Sequence, residues 1–218
     1  MKTLRDIGEH EAIARLVAML PAGTDVVVGP GDDCAVVRPA GGGEDLLLTS
    51  DPVVEKVHVR PDDPPEAVGH KAIARALSDI AAMGGEPRWA LLNVVAPAAT
   101  PVQRLEAIYR GAARTAAAFG LSIVGGDLSD GPALELHVFA IGAVPRGEAI
   151  TRSGAHAGDL LAVTGALGGS RLGRHLAFVP RVREGQWLRP WATAMIDLSD
   201  GLATDLRHLA AMSRVGVE

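Results

Sequence analysis

The stretch HKAIARALSDIAAMGGEP, residues 70–87, decides the fold prediction. Most of it belongs to a predicted helix over residues 66–83, which the glycine pair 84–85 ends as a C-cap would. An apolar strand over 89–95 follows at once, and a proline at the first helical position opens a second helix over 101–119. A helix, a strand and another helix in close succession predict alternating α and β elements in this part of the chain.

Short strands flank this central unit on both sides. Before it, tight turns join predicted strands over 25–28, 34–37 and 46–50, which indicates an antiparallel start. After it, strands over 121–124 and 134–141 lead to a junction at Pro145-Arg146-Gly147. The remaining predicted elements are a first helix over 9–20, a strand over 160–164, helices over 169–176 and 182–191, a strand over 194–196 and a helix over 202–212.

The predicted fold class is α+β / α/β, arranged in two domains. Residues 1–148 are expected to form a mixed α-β domain with hairpins and crossover helices. Residues 149–218 are expected to be the start of a C-terminal α/β domain that is incomplete, because the second unit stops abruptly.

Composition excludes several classes of function. The 218 residues carry 21 Lys and Arg against 26 Asp and Glu, a net charge of −5, and only 3% aromatic residues. A protein that binds nucleic acid through a basic surface and aromatic stacking is therefore not expected. The single cysteine, Cys34, excludes an intrachain disulfide, and no apolar run is long enough to span a membrane, so a cytoplasmic protein is expected.

Acidic turns are the strongest chemical signal in the sequence. An Asp at the end of a strand is often only a turn former or a helix cap, but glycines and hydroxyl residues beside several such turns favour a shared ligand site. Carboxylates that converge repel one another unless cations join them, and oxygen ligands without His or Cys favour Mg²⁺ or Ca²⁺. The five turns are Gly31-Asp32-Asp33, Thr49-Ser50-Asp51, Leu77-Ser78-Asp79, Gly125-Gly126-Asp127 and Asp197-Leu198-Ser199-Asp200-Gly201.

A lysine-based phosphate loop is excluded by the same sequence. The Walker A motif needs a lysine directly after a glycine, whereas Lys2, Lys56 and Lys71 follow Met, Glu and His. Phosphate chemistry in this chain would therefore depend on metal ions rather than on a lysine cradle.

Seven motifs, taken in order, resemble the thiamine-monophosphate kinase family, which is similar to aminoimidazole ribonucleotide synthetase and selenophosphate synthetase. The resemblance covers nearly the whole chain, and it implies ATP as co-substrate, several Mg²⁺ ions and a homodimer joined by strands of the N-terminal domain. The motifs are GPGDDCA (29–35), TSD (49–51) with His58 seven residues on, HKA…LSDIAAMGGEP (70–87), VGGD (124–127), TRSGA…GD (151–159), VTGALG (163–168) and IDLSDGL (196–202).

The resemblance also implies roles for individual residues. Metal ligation is implied for Asp33, Thr49, Ser50, Asp51, Asp79, Asp127, Asp197 and Asp200, with Asp32 beside them as a weaker candidate. Contacts to ATP are implied for Tyr109, Gly126, Asp127, Arg152 and Ser199, and contact to thiamine phosphate for His58. No covalent nucleophile is expected, because Cys34 next to two carboxylates favours the unreactive thiol.

The expected activity is ATP-dependent phosphorylation of thiamine monophosphate to thiamine diphosphate, in thiamine biosynthesis, by direct in-line transfer. Two alternatives stay open at this point. One is another ATP-using enzyme of the same superfamily, and the other is a nucleotide-binding dimer without catalytic activity. The family pattern continues beyond Glu218, so the C-terminal domain is expected to be truncated in this chain.

Overall fold

A mixed β-sheet covered on one face by helices forms the body of the molecule. The computed structural model describes residues 3–21 and 23–218. Its elements, in chain order, are α1 (Leu4–Val17), β1 (Val26–Val28), β2 (Ala35–Val37), β3 (Glu44–Val54), α2 (Pro65–Ala82), β4 (Glu86–Ala96), α3 (Val102–Ala118), β5 (Ser122–Gly125), β6 (Leu128–Asp130), β7 (Glu135–Pro145), two 3₁₀ turns (Ser170–Leu172 and Arg174–Leu176), α4 (Val182–Leu188) and α5 (Leu202–Ser213).

The strand order of the sheet within the described residues is β1-β2-β3-β7-β4-β5, with β6 also paired to β4. The first three strands pair antiparallel, as the tight turns between them predict, and β7 lies antiparallel to both β3 and β4. Helix α2 returns the chain so that β3 and β4 run in the same direction on either side of β7, and helix α3 returns it so that β5 and β6 run parallel to β4. The mixed α/β class expected from the sequence is therefore confirmed.

Side chains that alternate along the strands give the sheet one buried and one open face. Leu47 of β3, Leu92 of β4 and Leu136 of β7 are fully buried, together with Ile73 and Leu77 of α2. The open face carries exposed apolar side chains at neighbouring register positions: Leu48, Trp89, Leu91 and Phe139. The helices thus cover one face only.

Helices α2 and α3 approach each other more closely than any side chain at the crossing would allow. A Cβ on Gly69 would lie 1.9 Å from the Ile108 carbonyl oxygen, and a Cβ on Gly111 would lie 1.9 Å from the Glu66 carbonyl oxygen. These two glycines therefore fix the distance between the helices. Helix α4 approaches α2 in the same way through Gly185, whose Cβ would lie 2.1 Å from the Ala81 carbonyl oxygen.

The region after residue 150 differs from the prediction. The strands expected over 160–164 and 194–196 do not form within the described residues, where Leu160 is 96% exposed and no partner strand lies alongside either segment. The helix expected over 169–176 is divided into the two 3₁₀ turns, because Gly169 and Gly173 adopt φ values of 76° and 96° that an α-helix does not accommodate.

Two helix boundaries also differ from the prediction. Helix α1 begins at Leu4 and is interrupted by Gly8 at φ 76°, whereas the predicted helix began at Glu9. Helix α4 ends at Leu188 instead of Trp191. Among the described residues, no helix is both long and apolar enough to cross a membrane.

Candidate functional site

Three carboxylates from distant parts of the chain converge beside the buried face of the sheet. Asp33 follows the turn before β2, Asp79 lies in the last turns of α2, and Asp197 precedes α5. Each offers an oxygen within 4.8 Å of the other two. Three of the five acidic turns singled out in the sequence therefore meet in one place, which we call the carboxylate cluster.

Strand β3 brings two further predicted ligands to this cluster. Thr49 donates a hydrogen bond from its hydroxyl to Asp79 Oδ2, and Asp51 lies close enough for its charge to affect the pKa of Asp79. Ser50 lies between them in an extended strand, so its side chain points to the opposite, open face and is exposed. The structure thus brings Thr49 and Asp51 to the cluster but not the Ser50 hydroxyl.

Repulsion between the carboxylates makes the fully ionised cluster unfavourable without a cation. Burial, followed by repulsion from Asp51 and Asp197, raises the pKa of Asp79, and burial, followed by repulsion from Asp33 and Asp51, raises the pKa of Asp197. Asp33 Oδ2 is buried and has no hydrogen-bond partner among the described residues. Oxygen donors crowded in this way, with an orphaned buried oxygen among them, fit a hard divalent cation such as Mg²⁺.

Two arginines face the cluster from its sides. Arg75, one helical turn before Asp79, forms an ion pair of 2.7 Å with Asp51 Oδ1. Arg152 forms one of 2.6 Å with Asp33 Oδ1. The carboxylate of Asp32 accepts main-chain N–H groups of Arg152 and Asp33, at 3.0–3.2 Å, and it therefore holds the arginine in place.

A second group of predicted residues lies elsewhere, where β5 passes beside α3. Tyr109, Gly126 and Asp127 line an open depression there. A Cβ on Gly126 would lie 2.0 Å from the Leu92 carbonyl oxygen, so the close approach of this loop to β4 requires glycine. Asp127 is exposed, accepts a 3.0 Å hydrogen bond from the Ser129 hydroxyl, and is not part of the carboxylate cluster within the described residues.

The loop before α5 carries the last predicted residues. Ser199 and Asp200 are exposed, and neither belongs to the carboxylate cluster among the residues described. The loop is shaped by Asp205, a buried carboxylate that accepts the main-chain N–H groups of Asp200 at 3.1 Å and Gly201 at 3.0 Å. Sequence reasoning missed Asp205, although its place in the first turn of a helix is a usual position for an acidic cap.

His58 lies in a tight loop after β3, near Asp51. Its Nδ1 accepts the Val54 N–H at 3.0 Å, so in the neutral ring the proton is on Nε2. Burial, and then the positive charges of Arg75 and Lys71, lower the pKa of His58 and favour this neutral form. Lys71 and Arg75 were not predicted as site residues, because a lone cation within a helix has no distinguishing local pattern.

Cys34, beside the cluster, is unsuited to act as a nucleophile. Cys34 is 1% exposed, and burial together with repulsion from Asp79 and Asp33 raises its thiol pKa well above the usual value. The buried thiol behaves as a small apolar residue under β2. The carboxylate oxygens of the cluster, with Arg75 and Arg152 beside them, are suited to bind cations and anionic groups.

Comparison with known proteins identifies the class of this fold and site. Residues 31–144 match the family model for the AIR synthase related protein, N-terminal domain. That range includes Asp33, Asp51, Asp79 and Asp127. Structures of the hydrogenase maturation protein HypE share the fold, for example that of E. coli with a TM-score of 0.67 at 22% identity, covering 94% of this chain and 70% of that one.

Curated relatives narrow the class further. Thiamine-monophosphate kinase of Mycobacterium tuberculosis is 39% identical over 99% of this chain and 70% of its own length, and that of Escherichia coli K12 is 36% identical over 96% and 70%. The structure of "AaThiL complexed with AMPPCP and TMP" matches with a TM-score of 0.90 at 32% identity, covering 98% of this chain and 73% of that one. The chain belongs to the thiamine-monophosphate kinase family.

Proposed function

We propose that this protein transfers the γ-phosphoryl group of ATP to the phosphate of thiamine monophosphate, forming thiamine diphosphate and ADP. The observation that carries the proposal is the carboxylate cluster in a chain whose relatives are thiamine-monophosphate kinases. A neighbour of the same fold binds AMPPCP, an ATP analogue, together with TMP. The analogue stands in for the donor, and TMP matches the acceptor that the proposed reaction requires.

The reaction needs neither a nucleophilic side chain nor a strong general base. A phosphate oxygen of the acceptor forms the new bond to the γ-phosphorus while the bond to the β,γ-bridging oxygen breaks, and ADP departs. The acceptor phosphate is already ionised at neutral pH, so no proton must be removed from it. The buried, unreactive thiol of Cys34 is consistent with direct transfer.

We propose that Asp33, Asp79 and Asp197 hold Mg²⁺, together with Asp51 and the Thr49 hydroxyl. The bound cations would neutralise the charge on both sets of phosphates and on the group in transfer. Asp33 contributes its orphaned Oδ2, and Asp51 can contribute the oxygen that Arg75 leaves free. Ser50, Asp127 and Asp200 remain proposed ligands, although the Ser50 side chain lies on the open face of the sheet and the other two lie outside the cluster among the described residues.

For the nucleotide we propose contacts from Tyr109, Gly126, Asp127, Arg152 and Ser199. Arg152 supports this role best, because its guanidinium lies against Asp33 while Asp32 fixes its main chain. It could therefore face a phosphate without moving far. Gly126 supports it through its exposed position in the loop that lies directly against β4, where only glycine fits.

Two domains are part of the proposal, namely residues 1–148, which would bind ATP and Mg²⁺, and the start of a C-terminal α/β domain over residues 149–218. The contribution of Asp197 and Arg152 to the cluster supports a site shared by both domains.

A cytoplasmic location is also part of the proposal. It agrees with the single cysteine, Cys34, which is a free, buried thiol.

A homodimer is the third part of the proposal. The open face of the sheet exposes 47% of Trp89, 44% of Leu91 and 43% of Phe139 at adjacent positions, and a contiguous apolar patch of this kind is typical of an interface. A second copy of the chain would cover it. We expect light scattering at micromolar concentration to give twice the chain mass, and Trp89→Lys to lower that mass.

Leu172→Lys is the control for the dimer, because Leu172 is 93% exposed in a 3₁₀ turn away from the sheet. A monomeric wild type, or an equal loss of mass in both variants, would contradict the assigned interface.

The activity itself is tested with purified protein, ATP, thiamine monophosphate and Mg²⁺. We expect thiamine diphosphate and ADP to form in equal amounts, and EDTA to stop both. Omission of thiamine monophosphate should leave only slow ATP hydrolysis. An unchanged rate in EDTA, or ADP release that does not depend on the acceptor, would contradict the proposed reaction.

A further inference from the structure

Helix α2 presents three charged residues to the site at intervals of one turn. Lys71, Arg75 and Asp79 are spaced four residues apart, so they lie along one face of the helix. Asp79 belongs to the carboxylate cluster and Arg75 pairs with Asp51. Lys71 is the third residue of this row, and the function proposed above does not use it.

Lys71 is buried to an extent that is unusual for a lysine. The residue is 8% exposed, and its ammonium group donates to the His58 carbonyl oxygen at 2.6 Å and lies 2.9 Å from His175 Nδ1. Lysine is almost never so buried unless its charge is satisfied, so a buried ammonium group directed at a main-chain carbonyl indicates a specific structural task. That task concerns the loop to which the carbonyl belongs.

The His58 loop is closed by several hydrogen bonds of its own. Lys56 N–H donates to the Val59 carbonyl at 2.7 Å, and His58 N–H donates to the Val54 carbonyl at 2.8 Å. The ring of His58 accepts the Val54 N–H. These bonds fix the shape of the loop, whereas Lys71 attaches that loop to α2.

We propose that Lys71 is a positioning residue for substrate binding, which holds the His58 loop against α2 so that the imidazole N–H of His58 meets the acceptor, thiamine monophosphate. The inference rests on the function proposed above and on the contact between His58 and thiamine phosphate that the family resemblance implies. Without the ammonium group the His58 carbonyl loses its partner, and the ring loses its fixed distance from Asp51 and Arg75. Binding of the acceptor should weaken, while the nucleotide contacts, which lie on other elements, stay in place.

The experiment compares steady-state kinetics of the wild type with those of Lys71→Met and Lys56→Met. Methionine keeps the apolar length of lysine and removes the charge, and Lys56 is an exposed lysine in the same loop region that serves as the matched control. We expect Lys71→Met to raise KM for thiamine monophosphate by about 10-fold, the scale for loss of one hydrogen bond from a charged donor, with kcat and KM for ATP unchanged. Lys56→Met should match the wild type.

A double-mutant cycle with His58→Ala tests whether Lys71 acts through His58. If it does, Lys71→Met adds nothing to the KM of the His58→Ala variant. Additive effects, or equal increases in KM for ATP and for the acceptor, would overturn the inference.

The same kinetic constants are measured for Lys71→Gln as for Lys71→Met, in case one of the two variants does not fold. A thermal melting curve of each variant shows whether it is folded. An increase in KM confined to the acceptor in either folded variant supports the inference, and an unchanged KM for the acceptor in every folded variant overturns it. A wild type that forms no thiamine diphosphate would instead overturn the proposed function, so the two failures are distinguishable.

Discussion

Two carboxylates, Asp45 on strand β3 and Asp79 on helix α2, have opposite electrostatic environments. Asp45, near the start of β3, is 1% exposed and accepts hydrogen bonds from Arg38 Nε and Nη2, both at 2.7 Å, and from the Gly147 N–H at 2.8 Å. These partners lower its pKa to about 2. Asp79 faces Asp51 and Asp197 instead, and burial and repulsion raise its pKa.

The contrast separates a structural carboxylate from a proposed metal ligand. Both oxygens of Asp45 have partners within the protein, so nothing more is needed for its charge to be stable. The charge on Asp79 is compensated only in part by the hydroxyl of Thr49, so the carboxyl either takes up a proton, as its raised pKa indicates, or accepts a cation. A perturbed pKa without an internal partner is typical of a binding site.

The largest expected effect is on activity. Asp79→Asn keeps the shape of the side chain but replaces a charged oxygen ligand with a neutral one, which binds a hard cation far less well. We expect the rate of thiamine diphosphate formation to fall on the order of 10²–10³-fold, the scale for loss of one preorganised electrostatic element. Folding stability without metal should stay the same or rise, because repulsion within the cluster is relieved.

Asp130→Asn is the matched control for this prediction. Asp130 ends the same Leu-Ser-Asp triplet as Asp79, but it lies exposed in β6. Full activity in Asp79→Asn, or an equal loss in both variants, would contradict the assignment of Asp79 as a ligand.

Asp45→Asn should show the reverse pattern. The substitution leaves Arg38 without the negative charge of Asp45. Because 32% of the Arg38 side chain is exposed, water offsets part of the cost of the unpaired positive charge. We expect the free energy of unfolding to fall by about 2 kcal/mol, below the range for a fully buried pair. Specific activity per folded molecule should be unchanged. Urea unfolding measures the stability and the kinase assay measures the activity. A stable but inactive Asp45→Asn variant would show that Asp45 has a functional role and not a structural one.

The last expected effect is on the pH dependence of stability in EDTA. A carboxyl group whose pKa is raised by folding, such as Asp79, binds more protons in the folded state than in the unfolded state. Its contribution to stability is therefore lost as the pH rises above the pKa of the unfolded state, about 4. For Asp45, whose folded pKa is about 2, the contribution is present above pH 4 and is lost as pH falls toward 2. The stability of wild type relative to Asp79→Asn should therefore decline between about pH 5 and 8, whereas stability relative to Asp45→Asn stays constant there. A flat profile for Asp79 would contradict the raised pKa.

Local patterns in the sequence predicted the central elements well. The predicted helix over 66–83 is observed as Pro65–Ala82, and the strand over 89–95 as the core of Glu86–Ala96. Glycine and proline signals lie next to these elements in the chain, so their effect is local. Recurrence of Asp with Gly, Ser or Thr likewise pointed to Asp33, Asp79 and Asp197, which the fold brings together.

Contacts between distant residues could not be predicted in the same way. Arg75 and Lys71 act on Asp51 and His58 across the space between helix and loop, and nothing in their neighbouring residues indicates these partners. Residues 160–164 have a strand-like composition, but a strand exists only where another strand supplies its hydrogen bonds. Ser50 was grouped with its neighbours by sequence, whereas strand geometry points its side chain to the other face.

The close approach of α2 and α3 at Gly69 and Gly111 has a consequence for how this protein tolerates mutation. Either glycine replaced by alanine would push α2 away from α3, and α2 carries Lys71, Arg75 and Asp79 as one rigid body. A substitution well outside the site would then displace three site residues together. In a screen for loss of activity, these two glycines, which lie outside the site, should be found among the positions that do not tolerate substitution. Their variants should lose activity as active-site variants do, more than they lose stability as core variants do.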